Sequence, residues 1–200
     1  MNRNLYGIMI KYPEPGKVKT RLAKDIGNSR AAEIYRHVAE AVMTNTAPVD
    51  QGYDRIVFYD PLERLHDFKQ WLPGNHFIVQ QGDDVGERMD RAIRELMARG
   101  AGKAVLTGGD IPALNSTIIS GAFAALNHAD IVIGPAADGG YYLIGMNEPH
   151  GEIFRSIPWS TERVFERTIK TIEELHLTVA GMPVLSDIDR VEDLPNRPKP

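Results

Sequence analysis

The feature that most narrows the fold is an alternation. Seven apolar runs of strand length, LYGIMI (5–10), RIVFY (55–59), HFIVQ (76–80), KAVLTG (103–108), DIVIG (130–134), YYLIGM (141–146) and TVAGMPVL (178–185), are separated mostly by segments of helical periodicity. Residues 29–46 place Ile34, Tyr35, Val38, Ala41 and Val42 on one face, with Asn28 or Ser29 positioned to cap. Residues 84–99 turn Val85, Met89, Ile93 and Leu96 inward, and Asp84 and Glu87 have the spacing of a capping box. Residues 115–126 and 161–175 complete the helices. Strand–helix–strand order at this spacing predicts a three-layer α/β/α, Rossmann-like domain with a mostly parallel central sheet. That domain is expected to span residues 1–194. Pro183 makes the last run an edge strand, and PNRPKP (195–200) reads as a loose tail.

Composition removes several classes of function. At 200 residues and 42% hydrophobic content the chain can bury one full core. A net charge of −4 argues against nucleic-acid polymers, which need a broad basic face, whereas a small anionic ligand needs only a local basic spot. With no cysteine there is no disulfide, thiol nucleophile or thiolate metal site. No apolar stretch approaches the ~20 residues of a membrane span, so a soluble, cytoplasmic protein is expected.

In an open parallel sheet, ligands gather at the carboxyl ends of the strands. The segment after the first strand, KYPEPGKVKTRL, concentrates Lys11, Lys17, Lys19 and Arg21 around two prolines and a glycine. It is not a phosphate-binding P-loop: Lys11 stands where that pattern needs its first glycine, and Val18 where it needs a hydroxyl. After the fourth strand, TGGDIP presents Asp110, which reads either as a turn residue or as a metal ligand. SDIDRVEDL sets Asp187 and Asp189 two apart, on one side of an extended segment. Magnesium is commonly held by one or two carboxylates plus phosphate oxygens, so these acids and the basic loop could form a Mg²⁺–polyphosphate clamp. Alternatively Asp187 caps a turn; Glu192 and Asp193 read as a solvated face. GPAADGGYYLIG reads two ways: as a hairpin turn, or as a loop whose amides face a substrate while Asp138 binds a hydroxyl or ammonium group. The six histidines have no metal-ligand spacing. The nucleophile elbow and the dinucleotide fingerprint are absent, and Trp71 and Trp159 read as core or lid residues.

Six segments in this order, KYPEPGKVKTRL, GDDVGERM, TGGDIPALN, GPAADGGYYLIG, IPWST and SDIDRVEDL, resemble the bacterial DUF2064 family, whose fold is that of the GT-A nucleotide-diphospho-sugar transferases. More distantly, KTRL and the aspartate-rich close are similar to phospholactate guanylyltransferases and molybdenum-cofactor nucleotidyltransferases. The resemblance implies that the loop after the first strand holds a nucleotide, through Lys11, Pro15, Gly16, Lys17, Lys19, Thr20 and Arg21. It also implies a divalent metal, Mg²⁺ or Mn²⁺, on Asp110 and a late aspartate, best matched by Asp189 with Asp187 beside it. The chain departs from the pattern at Gly109, where Ser or Thr is expected, and at Arg190-Val191 in place of Thr-Pro.

The expected function is a Mg²⁺-dependent transferase acting on a nucleoside triphosphate or nucleotide-sugar and a small-molecule acceptor, with Lys19, Arg21 and Asp110 as the catalytic set. By topology, Gly82 and Arg88 join the nucleotide end, and Asp138, Gly139, Gly140 and Tyr141 form the acceptor end. The other reading is a non-catalytic nucleotide-binding module with the same fold. A phosphatase with Asp110 as nucleophile needs a second aspartate where Pro112 stands.

Overall fold

The computed structural model describes residues 3–48 and 52–194; the expected tail, 195–200, lies outside them. In chain order the elements are β1 (Arg3–Lys11), α1 (Ala23–Ile26), α2 (Asn28–Asn45), β2 (Asp54–Asp60), α3 (Leu65–Trp71), β3 (His76–Val79), α4 (Val85–Ala98), β4 (Ala101–Gly108), α5 (Ser116–Ala125), β5 (Ile131–Pro135), β6 (Tyr141–Met146), α6 (Val164–Glu174) and β7 (Val179–Gly181). The strands form one sheet in the order β3-β2-β1-β4-β6-β5-β7. Four of its six pairings are parallel and two, both involving β6, are antiparallel, so the sheet is mostly parallel as expected.

Side chains alternate across β1. Tyr6, Ile8 and Ile10 enter one core with Ala39 and Val42 of α2 and Ile119, Ala122 and Phe123 of α5. Leu5 enters the other, with Met89, Ile93 and Leu96 of α4 and Ile172 of α6. Helices therefore cover both faces, and β1 is buried over most of its length, which is why its sequence is a nearly unbroken apolar run. The β5–β6 segment is a hairpin: Ala136 N donates to Gly140 O (3.0 Å) and Gly139 N to Ala136 O (3.2 Å). β7, only three residues long, lies at the sheet edge with Pro183 just beyond it.

Two caps differ from expectation. At α4, Asp84 Oδ1 accepts from Glu87 N (2.8 Å), but the Glu87 carboxylate reaches back to Asp83 N (3.2 Å), one residue beyond the N-cap N–H of a capping box. At α2, neither Asn28 nor Ser29 caps, because both lie inside the helix and Gly27, at φ 85°, precedes it.

Because β6 alone runs against the others, the C-terminal ends of β1–β5 and β7 and the β5–β6 turn open on one edge of the sheet. The chain winds from β1 toward β2 on one side and toward β4 on the other. The crevice between β1 and β4 is thus the switch point where an α/β sheet accommodates ligands.

Candidate active site at the β1–β4 crevice

A cleft of about 600 Å³ occupies that crevice. Its floor is built on Asp110, carried two residues past the end of β4 by Gly109. A Cβ on Gly109 would stand 2.9 Å from Ile10 Cγ1, so Ser or Thr could not replace it without a shift in β1. Opposite Asp110 stands Asp187, and Lys19 lies between them. Its Nζ donates to Asp110 Oδ2 (2.8 Å) and to Asp187 Oδ2 (3.1 Å), so the two carboxylate oxygens are no further apart than those bonds laid end to end. Burial pulls the Lys19 pKa down, but Asp110 and then Asp187 outweigh it and hold the ammonium above its ordinary value. Asp187 behaves differently: burial pushes its carboxyl up and the lysine only partly restores it. Both effects have one origin, since Lys19 and Asp187 are desolvated together in a pocket where two carboxylates outnumber one ammonium.

Two residues further along both segments, Arg21 Nη1 donates to Asp189 Oδ2 at 2.9 Å; the arginine is open to solvent where Lys19 is buried, while Asp189 is about as exposed as Asp187. The Arg21 guanidinium is held above its ordinary pKa by Asp189, with Asp138 and Asp187 adding to the field. It is therefore Asp187 that shares a cation with Asp110, while Asp189 is turned to Arg21. Asp193 is not simply part of a solvated face. Its carboxylate accepts from Asp189 N (3.0 Å) and Arg190 N (2.7 Å), fixing the turn that presents Asp189.

Lys11, Lys17 and Thr20 also line the cleft. Among the described residues neither Lys11 nor Lys17 has a carboxylate within ion-pair distance, so the loop keeps cationic charge to offer an anion. From the other side come Asp83, Asp84, Val85 and Arg88 at the start of α4. Arg88 is held by Gly82 O (3.1 Å) and Asp60 (3.4 Å), so Gly82 orients the arginine without reaching the cleft.

The remaining expected residues divide. Tyr141 lines the cleft; Pro15, Gly16, Asp138, Gly139 and Gly140 do not. Gly16, at φ 81°, forms the turn beneath the basic loop with the Asn28 side chain beside it. Asp138 Oδ1 accepts from Gly140 N (2.9 Å) within the hairpin turn. Gly139, at φ 88°, is jammed: a Cβ there would stand 2.2 Å from Glu162 O, and its carbonyl accepts from Phe165 N (2.9 Å). The IPWST segment completes this wall. The Trp159 indole covers Gly86 and meets the Tyr141 ring edge-on at 6.3 Å between centroids. Among the described residues the buried Tyr141 hydroxyl makes no hydrogen bond of normal geometry; burial holds it protonated far above the usual range, and the nearby Thr168 hydroxyl offsets this only in part.

Tyr35 and Gln80 are cleft residues to which the sequence reading gave no role. Tyr35, assigned there to an apolar helix face, accepts from Lys11 N with its hydroxyl (3.0 Å); burial first, and Asp110 next, raise its pKa. Gln80 donates to Phe58 O (2.9 Å) and Ile10 O (3.4 Å), tying the ends of β2 and β1 together at the cleft. The only available cue was position: Gln80 directly follows β3.

A mostly parallel sheet with an antiparallel β6 and a charged cleft at its switch point defines the nucleotide-diphospho-sugar transferase fold. The chain belongs to the family of uncharacterized proteins conserved in bacteria called DUF2064, whose profile matches residues 43–161. It is 37% identical to a protein of Desulfovibrio desulfuricans whose crystal structure is described as that of a candidate nucleotide-diphospho-sugar transferase, with a TM-score of 0.89 over 96% of this chain and 84% of that one. At 10% identity it shares its fold with CMP:2-keto-3-deoxy-manno-octonic acid synthetase complexed with CTP (TM-score 0.57, 94% of each chain). At 12% identity it does so with glucosyl-3-phosphoglycerate synthase from Mycobacterium tuberculosis, in complex with Mn²⁺, UDP and glucosyl-3-phosphoglycerate (TM-score 0.57, 96% of this chain and 74% of that one). No curated protein matches the sequence. Among the described residues no helix is long and apolar enough to cross a membrane.

Proposed function

We propose that the protein is a divalent-metal-dependent transferase that uses a nucleoside triphosphate or nucleotide-sugar and passes a nucleotidyl or glycosyl group to a small-molecule acceptor. The observation that carries this reading is the convergence of Asp110 and Asp187 on one cation at the floor of a cleft rimmed by Lys11 and Lys17. Support also comes from the relatives, which are described as acting on, or bound to, nucleotides.

The carboxylates fit a hard divalent ion. Among the described residues no group of three or more histidines or acids is arranged to hold one, but Mg²⁺ and Mn²⁺ need only one or two carboxylates when phosphate oxygens complete the shell. Asp110 and Asp187 would hold the ion, with Asp189 available beside them. When bound, it supplies a Lewis acid that offsets charge on the phosphates. Every other contribution is the chain's own. Lys11 and Lys17 draw the polyphosphate into the cleft, Arg21 screens its outer charge, and Arg88 of α4 adds a cation from the opposite side. No covalent nucleophile is required, since transfer depends on positioning and charge.

The nucleotidyl and glycosyl versions differ in what leaves. In the first, an acceptor phosphate attacks the α-phosphorus and pyrophosphate departs. In the second, an acceptor hydroxyl attacks the sugar carbon and a nucleoside diphosphate departs, with Asp138 the base candidate. Incubation with a panel of triphosphates and sugar nucleotides, with Mg²⁺ or Mn²⁺, separates them by the product released. Nucleotide binding without turnover of any member, across a panel of acceptors, would favour the non-catalytic module.

A further inference from the structure

Lys19 was expected to face phosphate, yet its ammonium is spent on the two acids at the cleft floor. Its side chain is only 4% exposed, with Asp110 and Asp187 as its two partners. It reaches them from a backbone at φ 46°, a left-handed conformation that side-chain-bearing residues rarely adopt. The surrounding loop over-determines that position. Ala23 N donates to Lys19 O (2.9 Å), and Arg21, two residues on, is anchored to Asp189. Meanwhile Lys11, at the end of β1, and Lys17, on the loop, line the cleft without carboxylate partners among the described residues. The loop's anion-attracting charge therefore does not depend on Lys19.

The oxygens that grip Lys19 are those assigned above to the divalent ion. An ammonium donates to them at hydrogen-bond distance, whereas Mg²⁺ or Mn²⁺ draws them in to ~2.1 Å, so both cations cannot occupy the one gap. We propose that Lys19 is the built-in occupant of the divalent-ion seat, and that an entering ion displaces it into the cleft, where nucleotide phosphate receives it. This inference rests on the metal site of the proposed function. The physical consequence is coupling. An ion entering alone must break two ion pairs and strand a buried ammonium, which is costly. With nucleotide present, the displaced lysine gains a phosphate partner, so ion and nucleotide each strengthen the other's binding. In the resting protein the lysine also keeps Asp110 and Asp187 facing one gap despite their mutual repulsion.

The test is Mn²⁺ binding to the ligand-free protein, followed by the electron paramagnetic resonance of free Mn²⁺. Lys19→Met keeps the aliphatic stem and removes the competing charge, and is expected to bind Mn²⁺ at least tenfold more tightly than the wild type. Equal or weaker binding, still abolished by adding Asp110→Asn, overturns the lysine's role and leaves the metal site standing. Binding that survives Asp110→Asn, or no binding to Lys19→Met at all, overturns both. A measurement on the wild type covers the case in which the variant does not fold: the NMR signal of the Lys19 ammonium during Mg²⁺ titration. A shift to a freely exchanging ammonium as the ion saturates is expected; an unmoved, still ion-paired signal at saturation overturns the proposal.

Discussion

The two arms of the cleft are built on opposite principles. The β1 arm presents side chains: Lys11, Lys17, Lys19, Thr20 and Arg21 all line the cavity. The β5–β6 arm presents the start of β6, Tyr141 to Ile144, beside a turn whose Asp138 carboxylate is bonded within it and whose Gly139 is pressed against Glu162. The first arm has charge to spend on a ligand; the second spends its groups on holding its own shape. An anionic nucleotide needs the former, while an acceptor that must be placed against a fixed reaction centre is better served by the latter.

Two glycines with nearly the same backbone angle give the widest separation between the arms. Gly139→Ala puts a methyl group 2.2 Å from Glu162 O at φ 88°, and should cost about 3–5 kcal/mol, from strain plus forced movement of the 159–165 wall. Gly16→Ala, at φ 81°, meets nothing closer than the Asn28 amide at 3.6 Å and should cost about 1 kcal/mol. Urea unfolding of the two variants measures this directly. Equal losses would mean that the two turns are equally tolerant and the contrast is unfounded.

Asp110→Asn tests the floor that both arms share. If the carboxylate helps hold a metal against developing charge, turnover should fall about 100-fold or more while the protein still unfolds cooperatively. A fall of less than tenfold in steady-state assays would transfer the central role elsewhere.

Much of this was legible in the sequence, and the gaps have physical causes. Burial makes a strand an apolar run whichever way it points, so YYLIGM gave no sign of being antiparallel to β4 and β5. The short α1 and α3 carry too few turns to show a period. Strand-end acids such as Asp110 could be picked out because a charge directly after a buried strand is unusual; pairing Asp110 with Asp187 rather than Asp189 could not, since neighbours two apart differ only in which cation each meets. Tyr35 was hidden because its ring does obey the helical period, and only its hydroxyl reaches the cleft. The two readings of GPAADGGYY also overlap in the fold: it is a hairpin turn, and it stands beside the cleft.

Arg21 and Arg99 carry similar exposed ion pairs, with Asp189 at 2.9 Å and Glu95 at 2.7 Å, but only Arg21 borders the cleft. Arg21→Ala should weaken nucleotide binding about tenfold, whereas Arg99→Ala should leave it unchanged. Calorimetric titration at fixed ionic strength distinguishes them; matching effects would reduce the β1 arm to ordinary surface charge.

The smallest expected change in binding belongs to Asp138→Asn, and its smallness is the point. Asn retains the side-chain oxygen that accepts from Gly140 N, so the turn should survive; only the negative charge is lost. That charge acts on Arg21 through space rather than by contact, so its removal frees the guanidinium slightly toward phosphate. Nucleotide affinity should therefore stay within about threefold of the wild type. Turnover is another matter. If the β5–β6 arm serves the acceptor, and Asp138 is the group that takes its proton, the rate should fall by ~10² or more at unchanged nucleotide affinity. A folded Asp138→Asn protein that no longer binds nucleotide would put this turn on the nucleotide side and dissolve the division between the arms. One that keeps both affinity and rate would leave Asp138 with only its hydrogen bond to Gly140, a residue that shapes the turn and does nothing further.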